Sequence, residues 1–351
     1  MINSLGYGGA ETQLIRLIEA LITRGCDIVL ISLKDDLSLE KELHPKVEHY
    51  NIQLKGISDF KSIKEILNVV KYESPKVIHS HLFQANIISR IVKFFNAKIK
   101  VINTTHCVYD EEKILGLSPY LIYKLTKKWV DYHTAVSNES LKLLRDGKAI
   151  SKLKSSVMVN GLFVEKYQHS TIKNKTFKWL SVGRLIPVKN YKLLISACEV
   201  LANVKMNFEL NIIGDGPEKQ DLIHLIEEKN IKQNVSLIGL SEDIPNLLKD
   251  YDAFVISSNS EGLPMVLLEA MSAKLPIVST NVGGIPDVIN NSKGGMIVES
   301  RNKMKLASAM RLMMEQSKAN LKEMGNNNYI YVKDKFDIDE ISNQWLKIYN
   351  N

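Results

Sequence analysis

The sequence predicts an α/β protein built from two doubly wound parallel sheets. Short apolar runs rich in β-branched residues alternate along the 351 residues with longer segments of helical periodicity. Strands buried on both faces of a parallel sheet have such runs, and the intervening helices form the crossover connections. The runs fall into two series with a polar stretch between them. We therefore expect two domains, which also suits the length.

The first series of predicted strands occupies the N-terminal half. Its members are DIVLISL (27–33), VIHSH (77–81), KVINTTH (100–106), HTAVS (133–137) and SSVMVN (155–160). Ahead of them, MINSLGYGGAE passes almost at once from Met1 to a glycine loop. The first strand of this domain is therefore expected to be short.

The second series begins after a polar stretch at residues 162–176 that lacks an apolar period. Its members are FKWLSVG (177–183), FELNIIG (208–214), VSLIG (235–239), AFVISS (253–258) and LPIVST (275–280). The predicted domains are residues 1–165 and 166–335, and residues 336–351 have the apolar spacing of a helix that packs back towards the N-terminal domain. A cleft beyond the carboxyl ends of the strands is the expected ligand site.

Composition narrows the class of protein. Hydrophobic residues make up 45% and charged residues 24%, as in globular proteins without a membrane span. Three widely spaced cysteines, without a C-x-x-C pair or histidines at metal spacing, argue against a disulfide framework and a zinc site. The N-terminus lacks the pattern of a signal peptide. A reducing, cytoplasmic setting is therefore expected.

The net charge of +7 is concentrated in the first half of the chain. Residues 1–154 hold 23 Lys/Arg against 17 Asp/Glu, whereas residues 155–351 hold 23 against 22. Two segments, KFFNAKIK (93–100) and YLIYKLTKKW (120–129), mix bases with aromatic residues. They suit an anionic membrane surface or a phosphate-bearing acceptor, although solvated basic helix faces would have the same composition. No nucleic-acid recognition motif is present, so nucleic acid is not an expected partner.

A glycine-rich turn leads into the first predicted helix. In LGYGGAETQLIRLIEAL (5–21), Gly8 and Gly9 precede apolar residues at helical spacing. Glycines allow backbone N–H groups to approach a phosphate, and a helix N-terminus adds partial positive charge. Gly8 and Gly9 are therefore candidate anion-binding residues, with an ordinary structural turn as the alternative. The segment matches neither the phosphate loop of nucleoside triphosphatases nor the full dinucleotide fingerprint.

Two loops of the second domain carry features suited to a diphosphate. In SVGRLIPVKN (181–190), Arg184 and Lys189 follow a predicted strand, and a guanidinium with an ammonium can bind several phosphate oxygens. In IIGDGPEKQDL (212–222), Gly214 and Gly216 would permit close backbone approach. Taken singly, each of these segments is also compatible with a purely structural role.

Two glutamates flank an apolar run in SEGLPMVLLEAMSAKLPIVST (260–280). Pro264 suits the first turn of a helix, so Glu261 is expected in the preceding loop and Glu269 within the helix. Carboxylates in a cleft accept hydrogen bonds from sugar and ribose hydroxyls. The alternative for Glu269 is a helix position that faces solvent.

Histidines at predicted strand ends are the remaining candidates. His106 ends INTTH, and His79 and His81 lie at the end of the preceding strand. A side chain at such an end would project into the cleft, where a histidine can exchange protons or donate hydrogen bonds. For each histidine taken alone, a structural role is the alternative.

Taken together, these motifs resemble one family. GGAE, VGRLIPVKN, IIGDGP and SNSEGLPMVLLEAMSAKLPIVSTNVGGIPDVI, in this order, resemble the retaining glycosyltransferases of family 4, and Glu261 and Glu269 match that family's E-x7-E signature. The resemblance covers nearly the whole chain. It implies the GT-B fold, in which two Rossmann-like domains face a central cleft, the N-terminal one binding the acceptor and the C-terminal one the nucleotide sugar. Relatives usually have a full first strand, which is shortened here.

The resemblance also implies roles for matching positions. Arg184 and Lys189 would bind the donor diphosphate and stabilise charge on the leaving group, and Glu269 would hold the ribose hydroxyls. The donor sugar and phosphates would be bound by Glu261, Gly262, Leu263 and Pro264. His106 would face the transferred sugar as an active-site residue. The remaining donor-site positions are Gly8 and Gly9 beside the phosphates, the backbone at Gly183, Gly214 and Gly216, and Leu237 in the segment LIGLSE (237–242), which would bind the base.

The implied activity is hexosyl transfer with retention. The donor would be a UDP- or GDP-sugar, and the acceptor a glycan or an undecaprenyl-diphosphate-linked oligosaccharide of O-antigen or capsule synthesis. No metal or other cofactor is expected, since Arg184 and Lys189 would take the place of magnesium. The expected location is the cytoplasm or, peripherally, the inner face of the cytoplasmic membrane. A non-catalytic partner subunit and a UDP-sugar 2-epimerase of the same fold are the alternatives.

Overall fold

The chain divides into two α/β units in the computed structural model, which describes residues 1–106, 118–169, 176–241 and 243–351. The first unit combines Met1–Gly161 with Ile338–Asn351, and the second is Leu162–Asp337. The first division thus follows Gly161, whereas the sequence predicted it after residue 165.

The described part of the first unit alternates strands and helices. Its strands are β1 (Val29–Ser32), β2 (Glu48–Asn51), β3 (Val77–His81), β4 (Lys100–Thr105), β5 (Tyr132–Ala135) and β6 (Ser155–Val157). The helices among them are α1 (Gly9–Ile22), α2 (Phe60–Glu73), α3 (Phe83–Phe95), α4 (Pro119–Thr126) and α5 (Asn138–Asp146).

All strand pairs of this unit are parallel within the described residues. Strands β3, β4, β5 and β6 form one sheet in that order, and β1 pairs with β2. The first residues connect the two groups, because Ile2 forms a parallel bridge with Ser32 and the His81 amide donates to the Met1 carbonyl over 2.9 Å. The strand expected to be short is therefore a single bridged residue, and Ile2 is fully buried.

The second unit has the same alternation. Its strands are β7 (Phe177–Val182), β8 (Phe208–Ile213), β9 (Val235–Gly239), β10 (Ala253–Ile256), β11 (Ile277–Thr280) and β12 (Gly295–Val298). Its helices are α6 (Tyr191–Asn203), α7 (Lys219–Glu228), α8 (Ile244–Leu247), α9 (Met265–Ser272), α10 (Ile285–Ser292), α11 (Lys303–Met314) and α12 (Lys318–Lys335).

The strand order of the second unit determines where a ligand can bind. Its six parallel strands run in the order β12, β11, β10, β7, β8, β9. The chain builds one half of the sheet outward from β7 and the other outward from β10, so the order reverses between these two strands. Crossover connections leave neighbouring strands on opposite faces at such a point and open a crevice beyond their carboxyl ends.

Sequence reasoning missed the strands β2 and β12. Strand β2 has the sequence EHYN and lies at a sheet edge, where its side chains are exposed or half-buried. Strand β12 is also an edge strand, begins with a glycine, and is half-buried throughout. Edge strands need no continuous apolar run, so the signal used for the buried strands does not find them.

The C-terminal helix α13 (Ile338–Asn350) packs against α1. Its buried Ile341 and Trp345 share an apolar cluster with Leu17 and Leu21 of α1. Arg24, just beyond α1, donates to the Asp339 carboxylate over 2.9 Å. The apolar spacing noted at the end of the sequence is thus the stripe that joins α13 to the first unit.

Candidate functional site

The loops that follow β7 and β10 meet at the switch point of the second unit. Lys189 lies in the first loop and Glu261 in the second, and Lys189 Nζ is 2.6 Å from Glu261 Oε1. Ser258 Oγ donates to the same carboxylate oxygen over 2.6 Å. The side chains of Lys189 and Glu261 are only 21% and 11% exposed. A partly desolvated charge pair of this kind fixes the position of the ammonium beside the crevice.

Arg184 stands apart from this pair. It follows β7 and Gly183 directly, and its side chain is exposed. Its guanidinium forms no hydrogen bond or ion pair with any residue that the structure describes. Because this guanidinium is uncompensated there, the switch point carries a cation available to an anionic ligand.

Further contacts connect the two loops. The Asn259 amide donates to the Val188 carbonyl over 2.8 Å, and Ser257 Oγ donates to the Lys189 carbonyl over 2.9 Å. Asn190 caps α6 by accepting from the Leu193 amide, and its Nδ2 donates to Asn259 Oδ1 over 3.0 Å. These bonds hold the backbone of Lys189 in place. Sequence reasoning did not single out Ser257, Asn259 or Asn190.

A buried tyrosine lies behind the Lys189–Glu261 pair. Tyr191 lines a small cavity together with Ser181, Lys189 and Glu261. Burial raises the pKa of its phenol, a hydrogen bond with Ser181 opposes the rise, and the negative charge of Glu261 adds to it. Tyr191 is therefore neutral at physiological pH and acts as a hydrogen-bonding group.

Close backbone packing explains three glycines. Gly214 has φ +151°, and a Cβ there would overlap the carbonyl oxygen of Gly183. Gly283, which the sequence reasoning did not select as a site residue, has φ +59°, and its Cβ would overlap the carbonyl of Glu261. The close approach predicted at Gly214 is thus made to protein backbone. At Gly216 the neighbour is likewise the backbone of Leu185.

The second glutamate lies on α9. Pro264 has φ −71° and ψ 130° and precedes the helix as its N-cap, so it is not in the first turn as predicted. Glu269 is only 7% exposed, and this excludes the alternative of a solvent-facing carboxylate. Leu263 and Pro264 are buried, and the Gly262 carbonyl accepts from the Gly284 amide over 2.7 Å.

The segment expected to bind the base lies at the end of strand β9. The side chain of Leu237 packs against the apolar core of the second unit, so any ligand contact at this position would come from its backbone. The exposed apolar side chains here are Ile238 and Leu240. Glu242, the last residue of the predicted segment, lies outside the described residues.

The glycine turn of the first unit has a carboxylate beside it. Gly8 is the N-cap of α1 in extended conformation, and the helix begins at Gly9. A Cβ on Gly8 would overlap the carboxylate of Glu11 in the first helical turn. The partial positive charge at this helix end already has an acidic neighbour, which weakens its attraction for another anion.

Three histidines cluster at the carboxyl ends of β3 and β4. His81 Nδ1 is 3.0 Å from His106 Nε2. His79 contacts Thr104 Oγ1 over 2.7 Å and the Tyr349 hydroxyl over 2.8 Å. Burial lowers the pKa of His106 to about 4 and lowers the pKa values of His79 and His81 as well. All three rings are therefore neutral at physiological pH.

Comparison with known proteins connects these features to a family. The family model described as "Glycosyltransferase Family 4" matches residues 7–166, and the one described as "Glycosyl transferases group 1" matches residues 164–330. The chain belongs to the group 1/family 4 glycosyltransferases. Its switch-point site lies wholly within the group 1 match.

Relatives of this glycosyltransferase include two bacterial enzymes. One is the Escherichia coli UDP-Gal:alpha-D-GlcNAc-diphosphoundecaprenol alpha-1,3-galactosyltransferase, 28% identical over 71% of this chain and 68% of its own length. The other is the Campylobacter jejuni N-acetylgalactosamine-N,N'-diacetylbacillosaminyl-diphospho-undecaprenol 4-alpha-N-acetylgalactosaminyltransferase, 25% identical over 90% of each chain. The crystal structure of Anabaena Alr3699/HepE in complex with UDP matches with a TM-score of 0.84 at 18% identity, covering 99% of this chain and 98% of that one. The fold of the glycosyltransferase is therefore GT-B, as predicted.

The described ranges of the glycosyltransferase contain no candidate membrane-spanning helix. Among the same residues, no three His, Cys, Asp or Glu side chains are grouped as metal ligands.

Because burial lowers the pKa values of its histidines, the glycosyltransferase should become less stable as the pH falls. His133 is a fourth histidine whose pKa burial lowers. As pH falls below about 6.5, the unfolded chain binds protons that these folded rings exclude, so the free energy of unfolding should fall by about 1.4 kcal/mol per pH unit for each such ring. The loss should continue down to the folded pKa, about 4 for His106. Calorimetric melting between pH 7.5 and 5 measures this loss.

A variant isolates the contribution of His106. His106→Gln removes one of these four groups, so the fall in the free energy of unfolding below pH 6.5 should be smaller by about 1.4 kcal/mol per pH unit. Equal pH dependence in His106→Gln and the unaltered protein would contradict the prediction.

Proposed function

We propose that this glycosyltransferase moves a hexosyl group, with retention, from a UDP- or GDP-sugar to a glycan or an undecaprenyl-diphosphate-linked acceptor. The names of the Escherichia coli and Campylobacter jejuni relatives specify acceptors linked to diphosphoundecaprenol, which supports a lipid-linked acceptor. The Escherichia coli relative uses UDP-Gal, and the Anabaena structure contains UDP. A UDP-sugar is therefore the first donor to test.

The observation that carries this proposal is the pair of cations at the switch point. Departure of a nucleoside diphosphate develops negative charge on the phosphate oxygens. Lys189, held by Glu261 at 2.6 Å, and Arg184, uncompensated among the described residues, offer positive charge beyond the strand ends where that charge would develop. Preorganised charge of this kind stabilises a transition state without reorganisation during the reaction. The same two cations would make a metal ion unnecessary, so turnover should persist in EDTA.

The other site residues have subsidiary roles in this proposal. Glu269 would accept hydrogen bonds from the ribose hydroxyls, while Glu261 and the backbone from Gly262 to Pro264 would bind the donor sugar. His106 would face that sugar, and its ring, neutral because burial lowers its pKa to about 4, would hydrogen-bond a hydroxyl without adding charge. No protein nucleophile is assigned. The departing phosphate would deprotonate the acceptor hydroxyl on the face from which it leaves, and that accounts for retention.

The biological role proposed here is extension of an O-antigen or capsule repeat unit. An undecaprenyl-linked acceptor stays in the bilayer, so the enzyme would work in the cytoplasm at the inner face of the cytoplasmic membrane, attached peripherally to anionic lipid.

Two assays test the proposed function. Thermal melting with a panel of UDP-, GDP- and ADP-sugars should identify one nucleotide that raises the melting temperature, because a donor at 100 times its Kd adds about 2.7 kcal/mol of stability. Transfer of radiolabelled sugar from that donor to a GlcNAc-diphospho-lipid analogue should follow, and should be undiminished by EDTA.

Other outcomes would support the alternatives. If no donor shifts the melting temperature, a non-catalytic partner subunit is the better description. If the donor sugar is epimerised and released without transfer, the protein is a 2-epimerase. Dependence of transfer on a divalent cation would remove the proposed role of Arg184 and Lys189 as metal substitutes.

A further inference from the structure

Two segments that are distant in the sequence meet on the surface of the first unit. Phe94 and Phe95 end helix α3 and are 58% and 63% exposed. The ring centroid of Phe94 lies 5.1 Å from that of Trp129, which follows α4 in the chain. Leu125 on α4 is 63% exposed as well. Large apolar side chains grouped at a surface usually mark an interaction site.

Lysines surround these apolar side chains. Lys128 Nζ lies 5.2 Å from the centroid of the Trp129 ring. Lys98, Lys124 and Lys127 are exposed, and their ammonium groups form no hydrogen bond or ion pair with the residues that the structure describes. Neither residues 82–100 nor residues 118–130 contain an aspartate or glutamate. Asp131, the next residue after the second of these segments, is paired with Lys93 over 2.8 Å.

We infer that this aromatic-basic surface, formed by Phe94, Phe95, Lys124, Leu125, Lys127, Lys128 and Trp129, docks the enzyme on an anionic lipid bilayer. Aromatic rings and leucine insert at the boundary between headgroups and acyl chains, and neighbouring lysines attract the negative leaflet. An acidic protein partner would match the lysines but would not require adjacent, exposed phenylalanines. The biological purpose of this docking rests on the proposed function, in which the acceptor is lipid-linked. The chemistry of the docking is argued from the residues of the surface alone.

An open pocket of about 450 Å³ adjoins the surface at the amino ends of β4, β5 and β6. Lys98 and Lys154 line it, and both are exposed and unpaired within the described residues. Lys93 and Lys100 also line it but are already bonded, to Asp131 and to the Ile348 carbonyl. The pocket could accept a lipid phosphate while the neighbouring rings enter the bilayer.

Vesicle sedimentation tests the inference without donor or acceptor. The protein should sediment with 70:30 phosphatidylcholine:phosphatidylglycerol vesicles in 0.1 M salt, and much less with phosphatidylcholine alone or in 0.5 M salt, because salt screens the lysines. Phe94→Ser/Phe95→Ser should reduce the partition coefficient at least tenfold. Lys124→Ala/Lys127→Ala/Lys128→Ala should reduce it about 100-fold, at roughly fivefold for each lysine.

Helix α2 offers matched controls on the same unit. Phe60 and Tyr72 are 82% and 81% exposed, so Phe60→Ser/Tyr72→Ser removes a similar apolar area elsewhere. Lys61→Ala/Lys64→Ala/Lys71→Ala removes three exposed lysines. Both controls should bind vesicles as the unaltered protein does. All the positions are exposed, so melting temperatures should stay within a few degrees and exclude misfolding as the cause.

Three results would overturn the inference. The first is that the protein does not sediment with anionic vesicles. The second is that the surface variants and the α2 controls lose vesicle binding to the same extent. The third is that substituting the lysines abolishes heparin binding while substituting the phenylalanines leaves vesicle binding unchanged. The last result would assign the surface to a soluble polyanion. Donor binding, measured separately by melting, decides the proposed function, so either proposal can fail while the other stands.

Discussion

Lys189→Ala should lower turnover at least 100-fold while the protein remains folded. The ammonium of Lys189 is held 2.6 Å from Glu261, and the Lys189 carbonyl accepts from Ser257. Removing one preorganised charge from the site of charge development typically costs a factor of 10² to 10³ in turnover. Stability should fall by only about 1 to 2 kcal/mol, because the pair is partly solvated and Glu261 keeps its bond from Ser258. Steady-state kinetics and thermal melting measure the two effects separately.

Lys192 provides the control for this variant. It lies on α6, three positions along the chain, and its ion pairs with Glu218 and Asp221 are at 3.3 and 3.4 Å with the lysine half-exposed. Lys192→Ala should therefore leave turnover within a factor of two or so of normal, as expected for a surface charge pair.

A double variant tests whether Lys189 and Glu261 act together. If Glu261 serves to position Lys189, Glu261→Gln should reduce turnover, but Lys189→Ala/Glu261→Gln should be little worse than Lys189→Ala alone. Near-normal turnover in Lys189→Ala would remove this residue from the mechanism. Additive losses would instead give Glu261 an independent role, such as binding the donor sugar.

Gly214→Ala should destabilise the second unit by about 3 kcal/mol or more. Its φ of +151° is a conformation that side chains rarely adopt, and the new Cβ would overlap the Gly183 carbonyl at the end of β7. Relief of that overlap must move either β8 or the loop that carries Arg184. For a unit of this size, the melting temperature should fall by roughly 6 to 12 °C. Calorimetry measures the effect on the transition of this unit.

Two other glycines separate the contributions of strain and overlap. Gly239 has φ +88° but no atom within 4 Å of an added Cβ, so Gly239→Ala should cost only the backbone strain, about 1 kcal/mol. Gly56 has neither a positive φ nor a neighbour within 4 Å, and Gly56→Ala should be close to neutral. Equal melting temperatures for Gly214→Ala and Gly239→Ala would show that the second unit accommodates the overlap without cost.

Pattern alone located the buried strands and the site segments. The apolar β-branched runs that predicted parallel strands lie at β1, β3 to β6 and β7 to β11, because a strand covered on both faces must be apolar along its length. The glutamates of the E-x7-E signature were assigned to a loop and a helix for the same kind of local reason: proline can precede or open a helix but not continue one. Strands at sheet edges gave no such signal and were missed.

The sequence by itself determined the fold class, the family and the residue types brought to the site. Only the tertiary structure decided which of them touch. Lys189 and Glu261 are 72 positions apart and pair because β7 and β10, which precede their loops, are neighbours in the sheet. The same placement makes Gly283 a packing requirement against Glu261. Such contacts depend on strand order, and local periodicity contains no information about which strands become neighbours.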